Sequence, residues 1–143
     1  MSSSRSISAS RLIHATPSRI FDLLADPRQH ARFDGSGSVT SVKTAPPRLT
    51  LGTTFSMRMK MGLGYVTRNR VVAFEENRCI AWHHFAMFEW RYELEEVEGG
   101  TMVTESFNYD RPWAFAIIAM GFPERNRAAI AATLERLEAI VTS

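Results

Sequence analysis

Thr54-Phe55-Ser56-Met57-Arg58-Met59-Lys60-Met61 alternates polar and apolar residues without a break. Successive side chains of a strand point to opposite faces, so Thr53 to Met61 reads as a strand with one dry and one wet face. Phe55, Met57, Met59 and Met61 make the dry face, and Arg58 and Lys60 the wet one. The pattern continues downstream. Trp82, then Trp90, Tyr92 and Leu94, then Val103, Phe107 and Tyr109 extend the dry set. Arg68, Arg70, Glu89, Arg91, Glu93 and Glu95 extend the wet one. Four polar residues share the dry parity: Thr67, Asn69, His84 and Glu105. Unpaired buried polar groups are costly, so a purely structural core rarely selects them. An aromatic- and Met-rich face with sparse polar points is how a small-molecule pocket is built.

The remaining strands are Ser4 to His14, Val39 to Thr44, Tyr65 to Phe74, Cys79 to Phe85, Phe88 to Val97 and Thr101 to Tyr109. Short turn-like links (Gly62-Leu63-Gly64, Glu76-Asn77, Ala86-Met87 and Glu98-Gly99-Gly100) make neighbouring strands antiparallel. A bulge is expected near Val71 to Phe74, where the alternation slips. Between the first two strands, Thr16 reads as an N-cap and Pro17 as the first residue of a helix carrying Ile20, Phe21, Leu23 and Leu24. Pro27 opens a second short helix to Phe33. Glu124 to Val141 is a long amphipathic helix with Ile130, Leu134, Leu137 and Val141 on one side. The predicted class is α+β. A curved antiparallel sheet of about seven strands wraps the C-terminal helix, two short helices follow the first strand, and the cavity lies between sheet and helix. The whole chain, 1–143, is expected to be one ligand-binding domain.

Composition narrows the function. The chain is 45% hydrophobic and 22% charged, close to a globular average. A single cysteine, Cys79, excludes a disulfide framework and a Cys-based metal site. No apolar stretch is long enough for a signal peptide or a membrane span, so a reducing cytoplasm is the expected compartment, without stable membrane insertion. The net charge is +2, and 17 basic residues are spread along the chain. Most alternate with Glu on the wet face, which reads as cross-strand ion pairing rather than a nucleic-acid-binding stripe. His83 and His84 face opposite sides of a strand, and His14 and His30 lie in other elements, so no metal site or cofactor is expected.

Several segments, taken in order, resemble one family. They are Ile13-His14-Ala15-Thr16-Pro17 running into Ile20-Phe21-Asp22-Leu23-Leu24-Ala25-Asp26-Pro27, then Phe33-Asp34-Gly35-Ser36-Gly37-Ser38-Val39. Phe74-Glu75-Glu76-Asn77-Arg78-Cys79-Ile80-Ala81-Trp82 follows, then Trp90-Arg91-Tyr92-Glu93-Leu94 and Gly100-Thr101-Met102-Val103-Thr104. Together they resemble the START-like or Bet v 1-like (SRPBCC) superfamily of helix-grip proteins. Within it they look like the bacterial polyketide cyclase/dehydrase and lipid-transport subgroup. The resemblance covers about residues 4 to 142. It implies a hydrophobic or amphipathic ligand held between sheet and helix. Fold alone does not choose between carriers and enzymes, and no catalytic signature carries over.

Two functions stand side by side. One is carriage or sequestration of a lipid, polyketide or isoprenoid. The other is a cyclase or dehydratase that uses Glu105 and His84 to move protons. A carboxylate buried on the dry face has its pKa raised and suits general acid-base work. Its structural alternative is an ion pair with an inward arginine such as Arg11. The expected ligand wall comprises Phe55, Met57, Met59, Thr67, Asn69, Trp82, His84, Trp90, Tyr92, Glu105 and Phe107, with Ile130 and Leu134 from the helix. Asp34-Gly35-Ser36-Gly37 lacks the Lys-Ser/Thr of a phosphate loop and reads as a turn at the cavity mouth. Cys79, on the wet parity, reads as a small apolar filler. The stretch Trp113 to Phe122 is apolar all round and reads as a lid, a homodimer patch or a transient membrane contact.

Overall fold

Alternation and turn chemistry lay out the chain as the sequence suggests. The computed structural model describes residues 6–83, 88–114 and 121–143, apart from the side chains of residues 61, 122 and 123. Strand β1 (Ser6–Ile13) leads into helix α1 (Pro17–Leu24). A 3-10 turn (Pro27–Gln29) then runs into the single-turn helix α2 (His30–Phe33), so the expected second helix begins one tight turn late. Strands β2 (Val39–Thr44), β3 (Thr54–Met61), β4 (Leu63–Glu75), β5 (Cys79–His83), β6 (Glu89–Val97) and β7 (Gly100–Asn108) follow, and helix α3 (Phe122–Thr142) ends the fold.

The seven strands form one curved antiparallel sheet in the order β1-β7-β6-β5-β4-β3-β2. β2 to β7 are sequential neighbours because their links are short. β1 closes the other edge against β7, with Ser6 opposite Asn108 and Ile13 opposite Thr101. The expected bulge lies between Val71 and Ala73. It puts Val71 opposite Trp82 and Phe74 opposite Ile80, so residues three apart share the inner face. Phe74 thereby meets Phe21 of α1 edge-on at 5.4 Å.

The caps are those the sequence advertises. The Thr16 Oγ1 accepts from the Arg19 amide at 3.4 Å, with Pro17 in the first turn of α1. The Asp26 carboxylate accepts from the Arg28 amide at 3.0 Å and starts the 3-10 turn. Ile20, Phe21 and Leu24 are buried. Helix α3 packs on β1, and its Ile130, Leu134, Leu137 and Val141 enter the core. Arg11 points from β1 to this helix and binds Glu138 at 2.8 Å.

The wet face departs from expectation. Arg58 lies opposite Val66, Lys60 opposite Gly64, Arg68 opposite Ser56, and Arg70 opposite Thr54 and His83. None faces a glutamate, because the acids of the sheet lie at the far end of β4, on β6 and β7, and in their turns rather than beside β3. The pairing on β6 runs along the strand, Arg91 to Glu89 at 3.0 Å. The Cys79 Sγ, half-buried on this face, accepts from the Arg91 guanidinium at 3.1 Å.

Candidate functional site

Between the inner face of the sheet, α2 with the turn after it, and one side of α3 lies a cavity of about 1340 Å³. That exceeds the roughly 300–1,000 Å³ usual for small-molecule pockets. Its floor is aromatic. Trp90 and Phe107, cross-strand partners, have ring centroids 4.5 Å apart. Trp82 leans on Tyr92 at 5.7 Å and meets Phe55 edge-on at 5.6 Å. Met57 and Met59 add deformable walls.

Two buried polar residues of this lining each carry an atom without a partner. Asn69, 4% exposed, donates from Nδ2 to the Phe55 carbonyl and the Thr67 hydroxyl, each at 3.4 Å, while its Oδ1 has no hydrogen-bond partner. Glu105, 3% exposed, lies directly opposite Tyr92, and its Oε1 has no partner. Loss of solvent pushes the Glu105 carboxyl well above the usual carboxylate range. The Tyr92 phenol opposes this, and the negative charge of Asp34 adds to it. Burial likewise raises the Tyr92 phenol, reinforced by Glu105. The Arg11 that was the structural alternative for Glu105 is engaged by Glu138, and the residue opposite Glu105 on β1 is Ala9. Burial therefore favours the neutral form of Glu105 in a largely apolar wall.

The opposite wall is set by a glycine. The Gly35 amide donates to the Thr133 Oγ1 at 2.8 Å. A Cβ on Gly35 would lie 2.6 Å from the Thr133 amide nitrogen, so only glycine lets this turn seat on α3. Asp34 braces the turn by accepting from the Ser36 and Val39 amides at 3.1 and 3.0 Å. Its main-chain oxygen accepts from Arg136. The expectation of a turn at the cavity edge therefore describes where these residues lie.

A family model described as polyketide cyclase / dehydrase and lipid transport matches residues 4–142. The chain belongs to this family. It is 36% identical over 138 residues to an uncharacterized protein, Rv0088, of Mycobacterium tuberculosis strain H37Rv, which covers 92% of the chain. The chain spans only 62% of that relative's length. Among solved structures, protein Ms6760 from Mycobacterium smegmatis superposes with a TM-score of 0.73 at 22% identity, covering 96% of this chain and 91% of the other. Protein NE0264 from Nitrosomonas europaea gives 0.76 at 14% identity, with 99% and 97% covered. The Aha1 dimer from Colwellia psychrerythraea gives 0.66 at 18% identity, with 95% of each chain covered. At these identities the three structures show the shared fold alone.

On this family fold, the cavity wall brings together Phe55, Met57, Met59, Thr67 and Asn69 from β3 and β4 with Trp82, Trp90, Tyr92, Glu105 and Phe107 from β5 to β7. His84 lies outside the described residues, as does most of the stretch between Trp113 and Phe122. Ile130 and Leu134 need correcting. They are buried in the core and are not on the cavity wall. The helix turns its small side toward the cavity, through Ala128, Ala129, Ala132 and Thr133. Large residues fill the contact with the sheet, and small ones leave the space.

Among the wall residues that the sequence does not point to, His30 has the most chemistry. His30 of α2 is buried, stacks on Trp82 at 5.1 Å and 20°, and donates from Nε2 to the Leu24 carbonyl, 2.9 Å away. A carbonyl only accepts, so Nε2 carries the proton and Nδ1 is the acceptor of a neutral ring. Burial lowers the His30 pKa, outweighing that hydrogen bond and the charges of Asp26 and Asp34. Its signal was the α2 segment itself, where His30 and Phe33 share one helical face. Among the described residues, no cluster of three or more His, Cys, Asp or Glu could hold a metal. No described helix is long and apolar enough to cross a membrane.

Proposed function

We infer that the protein binds and carries a hydrophobic small molecule, of lipid, polyketide or isoprenoid size, in the cavity between sheet and α3. The observation that carries this reading is the pair of buried, unpartnered polar atoms, Asn69 Oδ1 and Glu105 Oε1, in a largely apolar wall. Leaving such atoms unmade costs about 1–3 kcal/mol each, and a ligand with matching polar groups removes that cost. In its neutral form, which burial favours, Glu105 offers an O–H to a ligand carbonyl or hydroxyl, and Asn69 Oδ1 accepts from a ligand hydroxyl or amide. The aromatic and methionine walls take the apolar body. Native mass spectrometry of gently purified protein tests this. A retained apolar molecule, released by organic solvent, is expected. An empty cavity, with no thermal shift from any lipid or aromatic polyketide, overturns the reading.

A second reading is an enzyme of cyclase or dehydratase type, favoured by the buried acid Glu105 opposite Tyr92. A general acid works best when its pKa lies near the working pH, and burial moves Glu105 in that direction. Turnover of a bound substrate that survives Glu105→Gln unchanged excludes it.

A further inference from the structure

As far as Phe74 the β2–β4 wing is charged in one sense only, and Glu75, the last residue of β4, is its first acid. From Gly35 to Phe74 the chain has six basic residues and no Asp or Glu. From Glu75 to Glu105 it has eight acids and two arginines. Of the six, Arg48 is held by Asp22 and Glu76. Arg58 donates to the Val42 carbonyl and, more weakly, to the Ser41 hydroxyl. Arg58 and Arg68 are diagonal cross-strand neighbours, since Ser56 faces Arg68 and Arg58 faces Val66. Like charges set side by side on a sheet repel, and the folded protein does not neutralise them with acids opposite.

The tip of this wing is apolar. Leu63 is 84% exposed and Val66 46%, and Tyr65 joins them at the β3–β4 turn. Gly62, at a φ of 78°, makes the turn tight enough to project Leu63 outward. The tip is also part of the cavity wall, through Lys60, Tyr65 and Val66. Cations behind a projecting apolar tip match the interface of an anionic bilayer, where apolar side chains enter the headgroup boundary and cations meet phosphate. A nucleic acid matches the cations but has no use for Leu63.

We propose that the β3–β4 hairpin docks the protein, peripherally and reversibly, on an anionic phospholipid bilayer, with the cavity edge at Tyr65 and Val66 facing the lipid. In the carrier reading this is where cargo enters and leaves, but the docking itself does not depend on that reading.

Flotation with vesicles of phosphatidylcholine alone, or mixed with phosphatidylglycerol, tests the proposal. The full chain should be retained by the mixed vesicles, released by added salt, and not retained by the neutral ones. Leu63→Asp, and the double variant Arg68→Gln with Arg70→Gln, should each weaken retention roughly tenfold, since each surface cation contributes a factor of several. All these side chains point to solvent, and circular dichroism will confirm that the variants fold. Absence of retention, or retention equal in wild type and variants, overturns the proposal. So does tight binding of a DNA duplex, unchanged by Leu63→Asp, that displaces the protein from vesicles. Cavity occupancy, measured separately by native mass spectrometry, can succeed where docking fails, and the reverse.

Discussion

Tyr92 and Glu105 stand directly opposite each other on β6 and β7, and the phenol faces a carboxyl held well above its usual pKa by burial. A cross-strand pair of this kind has its side chains within about 5 Å of each other by geometry alone. The sheet therefore brings donor and acid together without any loop.

The raised pKa fixes a pH dependence. Above the ordinary glutamate value, about 4.3, an unfolded chain loses the Glu105 proton while the folded one keeps it. Folding then becomes less favourable by about 1.4 kcal/mol per pH unit, until pH passes the folded pKa. Glu105→Gln carries no such proton. Denaturant unfolding of both proteins at several pH values should show wild type losing stability relative to Glu105→Gln as pH rises. Tyr92→Phe removes the one interaction that lowers the pKa, so the loss should extend to higher pH. Parallel pH profiles for wild type and Glu105→Gln would show that the acid is not held neutral.

His30 gives the opposite slope. Its pKa is lowered by burial, so stability associated with the neutral ring is present above about pH 6.5 and is lost as pH falls through the folded value. Its ring resonances, followed by NMR, should titrate below the value of a free histidine. The difference in stability between wild type and His30→Phe should shrink on acidification. A midpoint at or above 6.5 contradicts the buried neutral ring.

Asn69 separates stability from binding. Its Oδ1 is buried without a partner, so Asn69→Leu should hold the fold level or raise its stability by about 1 kcal/mol, measured by chemical denaturation. Retention of the apolar cargo should fall in the same variant. A loss of several kcal/mol would instead make the Asn69 side-chain bonds the reason for its presence.

Gly35 should not tolerate a methyl group. Gly35→Ala pushes the turn off the Thr133 backbone and breaks a 2.8 Å hydrogen bond, at a cost of about 1–3 kcal/mol. Gly37→Ala, with open space but a φ of 72°, should cost only the left-handed penalty of about 1–2 kcal/mol. The informative readout is the cavity. Gly35→Ala should alter cargo retention, and Gly37→Ala should not.

Cys79 should be sluggish. Burial raises its thiol pKa, and Arg91 only partly opposes this. At neutral pH its reaction with a thiol reagent should be several-fold slower than that of a free thiol. Reaction as fast as a small-molecule thiol excludes a half-buried sulfur.

The strand faces were legible because period-two alternation survives whatever packs on it, and even the bulge at Val71 to Ala73 left its mark as a slip in parity. Thr16-Pro17 and Asp26-Pro27 announced their turns by capping chemistry that is local. Contacts between distant elements were not legible. Ile130 and Leu134 lie on the apolar stripe of α3, and a stripe does not say which neighbour it meets. The alanines beside it were the better guide to empty space. His30 reached the site only because α2 folds over Trp82. Alternating signs suggest ion pairs for the arginines of β3 and β4, yet the residues opposite them are not acids. The acid-free run from Gly35 to Phe74 was visible all along, but its meaning depends on which strands are neighbours.

Ser6 opposite Asn108 also orders the events of biosynthesis. β2 to β7 can zip together turn by turn as they emerge from the ribosome, since each pairs with the strand just made. β1 emerges before them and yet waits for β7, the strand it pairs with, to be synthesised, and for α3 to supply Glu138 to Arg11. Pairings this distant in sequence are slow to form. During that interval the free edge of β7 is a template for any first strand within reach. On a crowded polysome, the error this topology invites is exchange of β1 between sister chains.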